Sequence, residues 1–348
     1  MNLPELDLNG MISFLTALLE TPSPTGFTEQ AIALCEAELS ALPGIALERT
    51  RKGALVATLP GETQDPWRAL TAHVDTLGAM VKEIKHDGRL KLSKLGGFAW
   101  NTVEGEGVNV FTRSGETVRG SLLVTKASTH VHGGDVGKTS REDDTMEVRL
   151  DARTVSADET RALGIEVGDF VAFDPRVEGT QGFIRSRHLD DKACVACMIY
   201  AAKAISEAGL KPTATTILHV SNYEEVGHGA AAGIPPQVSE LVSVDMAAVG
   251  DGQASDEFHA TLCVKDSGGP YHHGLSQRLR ELAEAYDIPH KIDIYPYYGS
   301  DGEAFWRAGG DVAVALIGPG VDASHNYERT HTEALVATAN WCLAYLLN

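Results

Sequence analysis

At 348 residues the chain is long enough for a large core, and its length corresponds to about two domains. Hydrophobic residues make up 43% and charged residues 22%, the composition of an ordinary soluble globular protein rather than a low-complexity one. With 29 Lys plus Arg against 48 Asp plus Glu, the formal charge of -19 argues against a phosphate backbone or an anionic membrane surface as partner. It suits a cytoplasmic protein that binds cations.

No early segment joins a basic start to an apolar run, and no apolar run reaches membrane-spanning length. Asn9 to Leu19 and Thr28 to Leu42 read as helices, with the turn-rich stretch Thr21 to Gly26 between them. Strands follow at Ala54 to Leu59 and Arg68 to Ala72, the second delivering His73 and Asp75. From Leu77 to Ile184 the pattern changes to short alternating segments separated by glycine turns such as Asp87-Gly88 and Ser114-Gly115, the signature of an inserted β-rich domain. Thr129-His130-Val131-His132 lies within it and reads as a solvated face or loop rather than a metal site.

After Arg187 the α/β rhythm resumes. A helix runs from Lys192 to about Ala208; the strand Thr215 to Ser221 ends at Glu224-Glu225, and Leu241 to Val244 ends at Asp245. A helix over Ser276 to Tyr286, a strand over Lys291 to Ile294 and a loop at Ser300-Asp301-Gly302 precede the strand Val312 to Ile317, which leads to His325; a helix over Thr332 to Leu347 follows. The five cysteines are scattered through predicted core and read as reduced and buried, and Cys194-Val195-Ala196-Cys197 falls inside a helical pattern. The expected fold is a three-layer αβα catalytic domain, residues 1–76 and 185–348, with the insert at 77–184.

The candidate site residues stand at or just past the ends of predicted strands, where open α/β sheets gather their ligands. Two divalent ions about 3.5–4 Å apart can polarise a carbonyl, acidify a water and stabilise an oxyanion, given a bridging carboxylate, further ligands for each ion and a carboxylate kept free for proton transfer. Asp190 of Leu189-Asp190-Asp191-Lys192 fits the bridge, His73 and Asp245 one ion, Glu225 and His325 the other. Glu224 fits the general base, and Asp75, two residues past His73 on the same side of an extended chain, fits a group that orients the imidazole. Each signal alone is weak, since adjacent acids usually mark solvated turns; the combination of five is not. His331 competes with His325 as last ligand, and His228 borders Glu225 in sequence but fits a surface position. Nitrogen and oxygen donors suit zinc first, with cobalt and manganese as alternatives.

These motifs, Ala72-His73-Val74-Asp75, Leu189-Asp190-Asp191-Lys192, Glu224-Glu225-Val226-Gly227, Val244-Asp245 and Ser300-Asp301-Gly302, resemble in order those of metallopeptidase family forty-two, the glutamyl and tetrahedral aminopeptidases. The resemblance covers nearly the whole chain. It implies a co-catalytic two-metal peptidase core, a cis peptide after Asp190, a PDZ-like insert used for dimerisation and an assembly up to a dodecamer. On the family spacing it favours His325 over His331. Thr76, Asn326 and His228-Gly229 depart from the family pattern near the pocket, and the stretch Ser324 to His331 resembles a subgroup tied to synthesis of an N-acetylated dipeptide-amide osmolyte.

The expected activity is removal of N-terminal residues from short peptides. Three rivals stand beside it: a metal-dependent amidohydrolase acting on a blocked dipeptide-like molecule, a glycosidase of the kind suggested by endoglucanase-labelled relatives, and a non-catalytic peptide-binding scaffold. The 6% aromatic content and idle histidines weigh against the glycosidase, and the complete set of ligands and base weighs against the scaffold.

Overall fold

The computed structural model describes residues 3–348, which fall into two compact units, one running up to Asp75 and resuming as Arg176–Asn348, the other Thr76–Pro175. In the larger unit a twelve-stranded mixed sheet carries at its centre the strands Ala214–Ser221, Thr63–His73, Val238–Val244 and Ala313–Asp322, side by side in that order and all parallel. Such strands are covered on both faces, and their residues alternate accordingly. Leu70, Ala72, Leu218, Val220, Val242, Val244, Ala315 and Ile317 enter one buried cluster; Ala69, Ile217, Leu241, Val314 and Leu316 enter another.

The first cluster takes in buried residues of the helices Leu8–Glu20, Glu29–Ser40, Leu189–Glu207, His273–Ala285 and Thr332–Leu347. Of these, Leu189–Glu207 is buried almost all round, which its run of Ala, Cys, Val, Met and Ile permits. The second cluster receives Phe305 and Trp306 of the short helix Asp301–Arg307, whose first two residues the sequence reads as loop. Helices therefore lie on both faces of a sheet, the αβα arrangement expected. All five cysteines are buried and free, Cys194 and Cys197 one turn apart in the central helix.

The sheet extends antiparallel through Glu328–His331, Phe183–Ser186 and Glu178–Thr180. Residues 176–184, placed in the insert by the sequence reading, thus belong to the larger unit, held there by backbone pairing that short polar segments do not advertise. The smaller unit is a closed barrel of six antiparallel strands in the order Gly78–Ile84, Leu90–Leu95, Met146–Leu150, Thr117–Val124, Gly107–Phe111, Phe170–Phe173. Inward Val81, Leu92, Val108, Val110, Leu122, Val148 and Val171 fill it. Thr129–His132 is an exposed single helical turn. Among the described residues no helix is long and apolar enough to cross a membrane.

Candidate metal centre

The parallel register puts one end of each central strand at the same level: His73 is the last residue of Thr63–His73 and pairs with Ser221, and Val244 pairs with Ile317. Beyond Ser221 the chain turns through Tyr223, left-handed at φ 64°, into Glu224 and Glu225. Beyond Val244 comes Asp245, whose N–H donates to the Ile317 carbonyl at 2.9 Å. This turn lies against Gly318, where a Cβ would stand 1.8 Å from the Asp245 carbonyl oxygen, so only glycine fits. Asp190 opens the central helix with non-helical backbone, joined to Asp191 by a cis peptide bond, and His325 follows the strand Ala313–Asp322 with a left-handed backbone at φ 63°.

Two groups of potential ligands result, His73 with Asp190 and Asp245, and Asp190 with Glu225 and His325, each with ligand atoms all within 4.8 Å of one another. Asp190 belongs to both. Its Oδ1 is 3.3 Å from His73 Nε2 and its Oδ2 is 3.4 Å from His325 Nε2, which also lies 3.4 Å from Glu225 Oε2. Charge-assisted hydrogen bonds are shorter, about 2.7–2.9 Å. A tetrahedral ion with bonds of about 2.0–2.1 Å instead sets neighbouring ligand atoms about 3.3–3.4 Å apart. The spacing and the nitrogen and oxygen donor set therefore fit divalent cations, one beside each oxygen of Asp190. Glu224 belongs to neither group; its Oε2 lies 3.6 Å from His73 Nε2.

The groups that hold this arrangement are themselves buried. Fully buried Asp75 takes the N–H of Glu224 on Oδ1 at 3.1 Å and that of Glu225 on Oδ2 at 3.3 Å, and Thr25 Oγ1 donates to Oδ2 at 2.7 Å. His73 Nδ1 meets the Asp75 backbone carbonyl at 2.9 Å and its carboxylate at 3.5 Å. Asp75 thus ties His73 to the turn carrying both glutamates. Asp191 takes the His73 N–H at 3.2 Å, and Asp301 takes the Ala230 N–H at 2.7 Å, steadying the loop after Glu225. Glu328 takes the N–H of Asp190 on Oε2 at 3.0 Å and that of His325 on Oε1 at 3.1 Å. The sequence reading assigned no role to Asp191 or Glu328. The only signal for Glu328 was a charged residue on the buried phase of a short alternating strand.

The rival histidines lie elsewhere. His331 caps the last helix, its Nδ1 accepting the Glu333 N–H at 3.2 Å while its ring packs on Phe183 and Phe258. His228 is exposed and stacks on Tyr223, and His130 and His132 join no potential metal group among the described residues.

Burial opposes the charge of Asp190, but the His325 and His73 imidazoles more than reverse this and hold it well below the usual carboxylate range. Burial, followed by the Asp190 charge, pushes Glu225 up to about 8 and Asp245 up to about 7. Burial also lifts Glu224 well above the usual range; His73 pulls it back, while Asp245, Asp301 and Glu225 add to the rise. A divalent ion favours the charged carboxylates, so its uptake must expel protons from groups raised in this way. Apparent ion affinity should therefore climb as pH rises through about 7 and about 8 and level off only above them. Competition against a chelator across that range measures it, and an affinity flat with pH would contradict the assignment of Glu225 and Asp245.

A cavity of about 690 Å³ opens on these groups, within the size range of small-ligand pockets. Asp190, Glu224, Glu225, Asp245 and His325 line one part; Met246, Val249, Val321 and Tyr297 form apolar wall, and Arg307 is the one lysine or arginine on the lining.

Residues 53–340 match the family described as M42 glutamyl aminopeptidase, and the chain belongs to that family. It is by family a metal-dependent aminopeptidase, a hydrolase. The protein YhfE of Bacillus subtilis is 48% identical over 336 residues, covering 96% of each chain. Among solved structures, the TET aminopeptidase of the marine sediment archaeon Thaumarchaeota archaeon SCGC AB-539-E09 superposes with a TM-score of 0.88 at 18% identity, over 97% of each chain. The TET1 peptidase of Pyrococcus horikoshii, described as assembling into a tetrahedron or a large octahedral shell, superposes with a TM-score of 0.84 at 22% identity, over 97% of this chain and 99% of its own.

Proposed function

We propose that this chain uses two divalent ions to remove residues one at a time from the free N-terminus of short peptides. The observation that carries the reading is the division of Asp190, one oxygen toward His73 and the other toward His325, at the spacing of ligand atoms around separate ions. His73 and Asp245 would hold one ion, Glu225 and His325 the other, with Asp190 between them. The ions supply Lewis acidity toward the scissile carbonyl and the attacking water. The protein supplies the rest. Glu224 accepts the proton of the attacking water and delivers it to the departing amine nitrogen, a role for which its raised affinity for protons suits it. Asp75 keeps the glutamate turn and His73 in register throughout. Zinc is the first candidate, with cobalt or manganese as alternatives. By analogy with the assembling P. horikoshii peptidase, the chain works as a homo-oligomer, with the Thr76–Pro175 barrel as dimerisation unit.

The same site could open a blocked dipeptide-like amide, and one experiment separates the two. A pool of short peptides, each with a free and an acetylated N-terminus, is incubated with metal-loaded protein and followed by mass spectrometry. Stepwise shortening confined to free N-termini is the expected result. Cleavage confined to acetylated peptides would assign an amidohydrolase instead, and intact peptides despite bound metal would leave a binding scaffold.

A further inference from the structure

Glu328 is fully buried, carries no ligand atom of either metal group, and yet touches both. Its two carboxylate oxygens divide between the backbone N–H groups of Asp190 and His325, residues far apart in the chain that supply the shared ligand and the last one. We propose that Glu328 is a positioning residue that sets the separation of Asp190 and His325, and so the geometry of the Glu225–His325 ion site. The inference rests on the two-metal reading given above.

Three features support this beyond the need to satisfy two buried donors. Glu328 opens the strand Glu328–His331, whose pairing with Phe183–Ser186 places it opposite Ser186, four residues before Asp190. Its carboxyl is therefore anchored to the same sheet edge from which the Asp190 segment departs. Secondly, the connection from Asp322 to Glu328 holds Ala323 at φ 58° and His325 at φ 63°, both in the left-handed region that side-chain-bearing residues enter only when their surroundings hold them there. The bond from the His325 N–H to Glu328 Oε1 is one such restraint. Thirdly, Ser324 Oγ donates to Asp190 Oδ2 at 3.3 Å, so the restrained turn and the shared carboxylate already meet at a second point. Both oxygens of Glu328 face N–H donors, a pattern that a carboxylate satisfies and an amide does not, because one end of the amide would present hydrogens to a hydrogen.

Glu328→Gln preserves volume and tests this directly. Wild-type and variant proteins are dialysed free of metal and titrated with zinc against a chromophoric chelator, with cobalt(II) absorption as a second readout and circular dichroism and thermal melting as controls for folding. Outer groups that orient metal ligands alter affinity by about 10–100-fold when removed. The expected result is a folded variant whose second equivalent of zinc binds at least about tenfold more weakly, with an altered cobalt spectrum and a lower kcat on a free peptide. A purely structural role would lower the melting temperature and leave ion affinity unchanged, and that result overturns the proposal. Should Glu328→Gln not fold, Glu328→Asp, which keeps the carboxyl group but withdraws it by one methylene, serves in the same comparison. Failure of the wild type to take up two equivalents would instead defeat the two-metal reading itself.

Discussion

Glu224→Gln should retain its metal and lose about 10²–10⁴-fold in kcat, the range expected when a positioned general base is removed. The geometry predicts this separation of binding from turnover. Glu224 stands outside both ligand groups, whereas its neighbour Glu225 belongs to one, and the backbone of both is held by Asp75. An amide at position 224 keeps the volume and removes only the capacity to take a proton. Metal analysis and steady-state kinetics on the same preparation read both halves. A variant that turns over at the wild-type rate would remove Glu224 from the mechanism; one that loses metal would move it into the coordination sphere.

Asp190→Ala should have the opposite profile, losing both ions together. Asp190 is the only residue common to the two groups, and each of its oxygens faces a different histidine. Without it, His73 with Asp245 and Glu225 with His325 are left as two-residue remnants. The four other groups would then also lose the strongly held negative charge between the imidazoles. Metal content measured after dialysis should fall from about two ions per chain to well below one. Retention of one tight ion would show that the groups act independently and that Asp190 does not bridge them.

Much of the catalytic architecture was legible because it is written in strand ends. Apolar runs closing on His73, on Glu224-Glu225 and on Asp245 correspond to the strands Thr63–His73, Ala214–Ser221 and Val238–Val244, and the parallel register brings their ends together. The barrel was legible as a β-rich insert, several of its short strands set off by turns such as those at Gly88 and Gly115. What escaped was structure whose residues look solvated. Glu328–His331 reads as a charged tail, yet Glu328 and Thr330 are buried because the strand pairs on both sides. Ser300-Asp301-Gly302 reads as loop because the helix beginning there is only seven residues long. Glu178–Thr180 is exposed and joins the sheet by backbone pairing and the Glu178–Arg185 ion pair, so no apolar pattern marked the unit boundary. The resemblance favoured His325 over His331 although both follow polar residues, and of the two only His325 stands beside Asp190 and Glu225.

The five proposed ligands, from His73 to His325, come from five separate segments that the folded sheet brings together. On that proposal the centre is complete only once the sheet has formed, so metal would bind the folded unit rather than template it. Ions held there would stabilise the larger unit by mass action rather than one loop of it. Starvation for metal would consequently be felt as a loss of cooperative stability throughout that unit, well away from the residues that touch the ions.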